Sequence, residues 1–188
     1  MLGMAGSETK RRSGLNWEFC PKVGRIFFYI MPSEPRIFKN KVYNHMKKVE
    51  KNVLVLHSAE EMFELVDKVE DYPKFLPWYS KTEVIERKGN ELKARLFMDY
   101  MRVKQSFATH NHNIPGQEIR MDLLEGPFKT LRGTWKFIDL GDDMCKVEFR
   151  LEYDFSNAVL SAMISPVFGH LAGTLVDAFI KEADRRYA

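Results

Sequence analysis

Two histidines are the residues whose type and spacing come closest to a metal site. His110 and His112 stand two apart in an alternating segment, so they share one face of a predicted strand. Zinc sites use three or four ligands, and no third ligand stands at a recognisable spacing from this pair. The neighbouring Asn111 and Asn113 are typical of a polar strand end near a turn. The sequence therefore predicts no metal site.

Nucleophilic and acid–base catalysis lack their usual residue patterns. The chain has no GxSxG element and no glycine-rich phosphate loop. Cys145 lies on the apolar face of a predicted strand, without a histidine near it in sequence. Asp99, Glu125 and Glu152 are predicted to be solvent-facing strand or turn residues rather than an acid–base pair. We predict no catalytic residues and expect a protein that is not an enzyme.

The composition is that of a water-soluble globular protein, with 45% hydrophobic and 29% charged residues and a net charge of +3. The charge is uneven. Residues 1–45 carry eight basic and three acidic side chains, which leaves 21 basic and 23 acidic ones for the rest. The folded part is thus slightly acidic, and any contact with nucleic acid needs a local basic patch or the N-terminal arm.

Cysteine content and hydropathy bear on location. Cys20 and Cys145 are the only two cysteines, and we expect no disulfide between them. The longest apolar run, residues 26–31, is far short of a membrane span, and no segment has the layout of a secretory signal. We expect no transmembrane segment and a location in a reducing cytoplasm.

Residues 1–45 differ from the remainder because they show no sustained periodicity and contain Pro21, Pro32 and Pro35. We divide the chain into an N-terminal extension, 1–45, and a domain, 46–188. The extension is interpreted either as a poorly packed or non-native segment upstream of Met46, or as an arm that docks on the domain or a partner.

The last third of the chain holds the strongest structural signal. Alternation over residues 145–155 places apolar residues on one face of a strand and charged ones on the other. Ser156 and Asn157 offer N-cap oxygens, after which an apolar stripe of helical period runs almost to the C-terminus. A helix of about 30 residues, at about 1.5 Å per residue, is longer than a small sheet is wide. We therefore expect it to lie across a sheet and to leave an apolar hollow beneath it.

The preceding segments predict the sheet. Ser58 and Glu61 have the spacing of a capping box, which predicts a short helix there, and a second helical turn is predicted over residues 69–75. Strands are predicted over residues 49–57, 78–87, 92–101, 103–113, 118–124 and 128–140, with hairpin turns at Gly89-Asn90 and Pro115-Gly116. The fold class is α+β: an antiparallel sheet of about seven strands, two short helices, and a long C-terminal helix packed across the sheet.

Three motifs carry a family resemblance. Residues 72–78 read YPKFLPW, residues 126–137 read GPFKTLRGTWKF, and the chain ends on Ala178-Phe179 with Ala183 and Tyr187. These resemble the YPxFLPW, GPFKxLxGxWxF and AFxxRAxxxY elements of the coenzyme Q-binding, polyketide cyclase-like branch of the START-like superfamily. The resemblance covers nearly everything after Met46 and implies the helix-grip fold, a long helix closed over a curved sheet. Two positions depart: Tyr79 stands where many members have Cys, and Glu182 where many have Arg.

The resemblance implies three functions from different classes. The first is a toxin that binds the large ribosomal subunit, blocks subunit association and inhibits translation, with an antitoxin protein as a further partner. The alternative is a protein that binds ubiquinone or another isoprenoid lipid and supports respiration, without a required cofactor. The third is an enzyme of the polyketide cyclase type, for which the sequence offers no acid–base pair.

Two sets of residues follow from these readings. A ligand in the hollow would touch apolar side chains of the strands and the long helix, which are predicted to be Trp78, Leu96, Met98, Phe107, Met121, Leu123, Trp135, Phe149, Phe168, Leu171 and Leu175. A small basic surface, Lys129, Arg132 and Lys136, is the predicted contact for ribosomal RNA, and the alternative is that it is simply solvated.

Overall fold

A seven-stranded antiparallel sheet makes up most of residues 46–187, the part of the chain that this computed structural model describes. Its strands are β1 (Lys47–Val55), β2 (Tyr79–Lys88), β3 (Glu91–Tyr100), β4 (Val103–Ile114), β5 (Glu118–Glu125), β6 (Phe128–Gly141) and β7 (Met144–Phe155). The helices are α1 (Ala59–Asp67), α2 (Tyr72–Phe75) and α3 (Ala158–Tyr187), and a 3-10 turn at Val69–Asp71 precedes α2. The predicted α+β class and the predicted element order are confirmed, while the predicted extension, 1–45, lies outside the described residues.

The strands lie in the order β1-β7-β6-β5-β4-β3-β2, so β1 and β2 form the two edges. The first predicted strand was placed two residues too late, because the pairing of β1 with β7 runs from Lys47↔Tyr153 to Val55↔Cys145. Leu56, which continues the apolar pattern, is exposed beyond the end of β1. The other strand ends differ from the prediction by one residue or none.

Register shifts bend the sheet. They occur twice in β2, once between β4 and β5, and twice in β6 against β7. Such bulges increase local twist, which lets one face of the sheet become concave. The tight turn before β6 needs Gly126, whose φ is 146° and where an added Cβ would lie 2.6 Å from Cβ of Phe107.

Both predicted helix starts are present. The Ser58 hydroxyl accepts a hydrogen bond from the Glu61 amide at 3.2 Å, and the Glu61 carboxylate accepts one from the Ser58 amide at 3.0 Å. At the start of α3, the Asn157 side chain accepts from the amide of Leu160 at 2.9 Å. These bonds satisfy amides that have no partner within the helix, so they fix where α1 and α3 begin.

The long helix α3 contains a strongly apolar segment. By length and composition it could cross a membrane, since an 18-residue window reaches a mean hydropathy of 1.6. Within the described residues, however, α3 buries Phe168, Leu171, Val176 and Phe179 in the core beside the sheet. Helices packed in a protein core can have the same composition, and 33% of this window is buried in the fold.

Aromatic rings hold the C-terminal half of α3. The ring of Phe179 lies 5.3 Å from Tyr72, 5.2 Å from Phe75 and 5.3 Å from Trp135, each in an edge-to-face arrangement. The side chain of Phe179 is almost completely buried. The YPKFLPW segment thus packs against α3 and β6 together, and each edge-to-face pair adds about 0.5–1.5 kcal/mol beyond the burial of area.

An ion cluster closes the same end of the molecule. The buried Glu182 carboxylate accepts hydrogen bonds from Arg185 at 2.6 and 2.8 Å and from Arg186 at 2.6 Å, and Arg186 also reaches Asp71 at 3.1 Å. We call these four residues the Glu182 cluster. The guanidinium of Arg185 is the main cause that lowers the pKa of Glu182 from 4.5 to about 2. The acidic residue that departs from the family motif therefore has its own pair of cations.

The Glu182 cluster should stabilise the fold only while its carboxylate is charged. Because the folded-state pKa is depressed, the stabilisation is complete above the unfolded pKa near 4.5 and is lost as the pH falls from there toward about 2. We predict that Glu182→Gln lowers the free energy of unfolding at neutral pH by about 2 kcal/mol, the typical worth of hydrogen bonds to a charged group. The difference from the original protein should shrink steadily below pH 4.5 in urea titrations.

Glu64→Gln is the matched control, since Glu64 forms an exposed pair with Lys68 at 3.3 Å on α1. This substitution should change the free energy of unfolding by less than about 0.5 kcal/mol. If the difference in the free energy of unfolding between Glu182→Gln and the original protein stays constant from neutral pH into acid, the charge of Glu182 does not contribute to stability.

Candidate functional site

A cavity lies between the concave face of the sheet and α3. It leaves about 70 Å³ for the centres of water-sized molecules, and the whole hollow including its solvent-filled mouth measures about 770 Å³. Its lining comes from the segment before β2, from strands β2 to β7 and from the middle of α3: Val69, Tyr72, Trp78, Tyr79, Leu96, Met98, Phe107, Thr109, Asn111, Met121, Leu131, Gly133, Trp135, Phe149, Leu151, Phe168, Leu171, Ala172 and Leu175. The hollow is narrow but not filled by side chains.

Ten of the eleven residues predicted to contact a ligand line this cavity, and Leu123 does not. The pairing of β5 with β6 ends at Asp122↔Arg132, and the register of β5 against β4 shifts between Leu123 and Glu125. Leu123 therefore lies where β5 leaves the regular sheet, and its partly buried side chain packs against the core instead. That the other ten residues bind a ligand remains a prediction.

Two polar residues of the lining were missed. Thr109 and Asn111 follow Phe107 at a spacing of two on β4, so they face the cavity as it does. The sequence interpretation took Asn111 as part of a polar strand end. The alternation of β4 was the signal that could have found both, because residues two and four positions after Phe107 face the same side of the sheet.

Gly133 makes room for the side chain of Met121 in the cavity wall. The register from Met121 through Gly133 to Leu151 runs without a shift. A Cβ at this position would overlap the end of the Met121 side chain and lie 3.4 Å from Cδ1 of Leu151. Gly133 is thus a site of close approach, where the absence of a side chain leaves the space that the end of Met121 occupies.

Asn111 carries the least satisfied polar group of the cavity. Its side-chain oxygen Oδ1 is buried and has no hydrogen-bond partner among the described residues. An unpaired buried acceptor costs about 1–3 kcal/mol, so it would be stabilised by a donor on a bound molecule. The cavity therefore combines apolar walls with one hydrogen-bonding position, the usual composition of a site for a small amphipathic molecule.

No charged side chain lines the cavity within residues 46–187. Burial raises the pKa of both Tyr72 and Tyr79 above the usual 10.0, so their phenols stay neutral, and the Tyr72 hydroxyl donates to the Val66 carbonyl at 2.5 Å. Burial also raises the pKa of the Cys145 thiol to about 11, which leaves it unreactive at neutral pH. The arrangement suits binding of an uncharged molecule better than proton transfer.

The acidic residues considered in the sequence lie away from the cavity in ion pairs. Lys104 lies 3.1 Å from Asp99, Arg95 bonds to Glu125, and Glu152 is 2.7 Å from Arg150. They do not come together, and each has a cation of its own. This placement agrees with their interpretation as strand residues facing solvent.

The three residues of the predicted basic surface are all exposed on β6. Arg132 lies between Asp122 of β5 and Glu152 of β7 in the register, and its Nε is 3.4 Å from Asp122. Lys136 lies between Glu118 and Glu148 in the same way. Lys129 falls in the register shift at the start of β6, outside this alternation. The three cations thus do not form a continuous basic patch.

The two histidines lie on the opposite face of β4 from Asn111. The β3 residue Glu91 stands directly across from His112 and approaches both imidazoles, at 3.4 Å from His110 and 3.7 Å from His112. Glu91 is thus a third potential metal ligand beside the two histidines. The spacing along the sequence could not show it, because Glu91 comes from the neighbouring strand.

Comparison with known proteins places these features in a family context. The model of the polyketide cyclase/dehydrase and lipid transport family matches residues 55–180. The ribosome association toxin RatA of Vibrio cholerae is 40% identical over 142 residues, which cover 76% of this chain and 99% of that protein. The mitochondrial coenzyme Q-binding protein COQ10 homolog B of Xenopus laevis is 24% identical, over 89% of this chain and 72% of that protein.

Among solved structures, the Zhui aromatase/cyclase from a Streptomyces species superposes with a TM-score of 0.69. It is 21% identical and covers 77% of this chain and 97% of that one. At this level of identity the likeness concerns the fold, and it confirms the helix-grip arrangement expected from the sequence motifs.

The unpaired oxygen of Asn111 generates a prediction for the ligand-free protein. Replacing Asn111 by leucine, a side chain of similar shape, should raise the free energy of unfolding by about 1 kcal/mol or more because it removes a buried unsatisfied acceptor. Asn52→Leu, on the exposed face of β1, is the control and should have an effect within about 0.5 kcal/mol. Loss of stability in Asn111→Leu, measured in urea, would contradict the assignment.

Proposed function

The chain belongs to the polyketide cyclase/dehydrase and lipid transport family, and we propose that it acts as a RatA-type ribosome association toxin. In this role it would bind the large ribosomal subunit, block association of the subunits and so inhibit translation in the bacterial cytoplasm. An antitoxin protein would be its second partner. No reaction is catalysed in this proposal, which agrees with a cavity that offers no charged group among the described residues.

One observation carries the proposal. The likeness to the Vibrio cholerae toxin, at 40% identity, extends over 99% of that protein, so the whole of the relative has a counterpart here. The coenzyme Q-binding relative is only 24% identical and is covered for 72% of its length. A function that uses the whole domain surface is therefore better supported by the first relative than by the second.

The proposed contact with ribosomal RNA uses Lys129, Arg132 and Lys136. Carboxylates flank two of the three cations, so bulk attraction is weak and the contact must depend on local geometry. Lys129 has the most freedom to reach a phosphate because it stands in the register shift rather than opposite an acid. Binding that uses such contacts weakens as salt increases, since counterions are released from the RNA.

The ribosome proposal is tested by sedimentation of bacterial lysate with added protein. The original chain should co-sediment with the large subunit, and free subunits should accumulate at the expense of complete ribosomes. Lys129→Glu combined with Arg132→Glu should abolish the co-sedimentation at physiological salt, because both substitutions place negative charge against the RNA backbone.

Lys88→Glu combined with Lys104→Glu gives the same change in net charge on exposed residues of β2 and β4, and should keep binding. The absence of any movement of the original protein with the large subunit would overturn the function. Equal binding by both double variants would instead show that the wrong surface was chosen.

Binding of an isoprenoid quinone or a similar lipid is the second candidate, and the cavity is the observation that favours it. The lining offers aromatic and aliphatic walls, which stabilise a bound chain by about 25 cal/mol per Å² of apolar area removed from water. The free space of about 70 Å³ is well below the usual 300–1,000 Å³ of ligand pockets. A lipid tail can enter only if Met98, Met121 or α3 moves aside, and unbranched methionines adapt readily.

Organic extraction of the purified protein followed by mass spectrometry tests this candidate. The original chain should release a stoichiometric isoprenoid lipid. Leu171→Arg should lose it, because the substitution places an uncompensated charge in the lining. Met163→Arg makes the same change at an exposed position of α3 and should keep the lipid.

A variant that retains apolar walls separates loss of the site from loss of the fold. Ala172→Leu fills part of the free space and should lower lipid retention while the thermal unfolding transition stays cooperative. Extracts of the original protein that contain no lipid would remove this candidate. Retention of lipid by a folded Leu171→Arg variant would place the ligand elsewhere.

A further inference from the structure

We propose that Glu91, His110 and His112 form a binding site for a zinc-class transition metal ion on the outer face of the sheet, the face directed away from α3. Each side chain offers one ligand atom, and these three atoms all lie within 4.8 Å of one another. Two imidazoles and one carboxylate are a ligand set that zinc uses in proteins, with a water molecule in the fourth position. We call this group the outer-face triad.

The antiparallel register brings the triad together. His110 and His112 share the outer face of β4, and Glu91 at the start of β3 is the direct partner of His112. The two imidazole rings stand 4.3 Å apart between their centroids. The carboxylate of Glu91 spans them, with one oxygen 3.4 Å from Nε2 of His110 and the other 3.7 Å from Nδ1 of His112.

These separations suit a shared metal ion. Ligands bonded to zinc at about 2.1 Å in a tetrahedron lie about 3.4 Å from one another. The carboxylate-to-imidazole distances are already within a few tenths of an ångström of that value. One ligand atom from each of the three residues lies within 4.8 Å of the other two, so the side chains must rotate to bring all three to a single ion.

The backbone around the triad is held in place. The amide of Asn113 donates to the carbonyl of Asn90 at 2.8 Å, which ties the turn before β3 to the end of β4. The side chain of Asn113 also donates to Asp67 of α1 at 2.5 Å. Both strands that carry the ligands are therefore fixed at this end, which reduces the cost of bringing the ligands together.

The triad is open to solvent on one side. The side chain of His110 is 26% exposed, and those of His112 and Glu91 are 48% and 54% exposed. A metal ion could thus enter from water without opening the fold and could keep a water ligand. It would link β3 to β4 and stabilise the sheet at this end.

Two cations flank the triad directly, since Lys93 stands opposite His110 and Arg120 stands opposite His112. On β3, Lys93 is 2.7 Å from Glu86 of β2. On β5, Arg120 bonds to Glu118. Asp122 of β5 stands opposite His110, and it is 3.4 Å from Arg132 of β6. Lys88 of β2 stands opposite Glu91. Lys93, Arg120 and Arg132 each have an acidic partner, which offsets much of their repulsion of a bound cation.

Zinc titration of the full chain tests the proposal. The protein, without any polyhistidine tag and stripped of metal, is titrated with zinc chloride in a calorimeter near neutral pH. We expect a zinc-dependent rise in melting temperature, because the ion binds the folded arrangement of its three ligands. His112→Ala and Glu91→Gln should each weaken zinc binding by about 10–100-fold or more, since each removes a ligand.

The double substitution His110→Ala with His112→Ala should abolish both the heat of this site and the rise in melting temperature. His170→Ala, which removes an exposed histidine of α3, should leave both unchanged. Zinc held by Cys20 or His45, which lie outside the described residues, would survive the loss of the triad. Zinc affinity that is equal in the double variant and the original protein therefore overturns the proposal, as does the absence of binding at millimolar zinc.

Discussion

The packing of Phe179 determines where the long helix lies, and the cavity depends on it. Its ring is enclosed by Tyr72, Phe75 and Trp135, which belong to the YPKFLPW segment and to β6. The polar side-chain bonds that connect α3 to other described elements all come from its C-terminal half, the first being the pair of Asp177 with Lys51. The other half, over the cavity, is held by apolar contacts such as those of Phe168 with Phe107 and Tyr153. Since apolar contacts have no fixed direction, that half can shift at lower cost than the anchored half.

Strand β4 shows how one alternating segment supplies two unrelated sites. Thr109 and Asn111 face the cavity, while His110 and His112 face outward beside Glu91. A shift of one residue in the register of β4 would exchange the two faces, which would place imidazoles in the apolar hollow and amides in solvent. The register shift between β4 and β5 begins only at Ala108, so the paired stretch from Thr109 to Ile114 keeps both faces as they are.

Sequence patterns predicted the elements of this fold well because each depends on neighbouring residues. The capping box at Ser58 and the change of period after Asn157 are local, and the structure contains both. The cavity lining was largely predictable for the same reason, since alternation within a strand fixes which residues face inward. Leu123 and Glu91 were not predictable in this way. The first depends on where β5 stops pairing, and the second on which residue of β3 lies opposite His112.

Charges on the outer face of the sheet are largely paired with one another. Cations and carboxylates alternate across neighbouring strands, as at Lys48 with Glu152 and at Lys93 with Glu86, so most charge is neutralised within the sheet. Such a face is well solvated but attracts RNA only weakly over a distance. A specific contact must then come from a place where the alternation is interrupted. The register shift that carries Lys129 is one such place, and it adjoins the turn that brings Phe128 into the core beside Phe168.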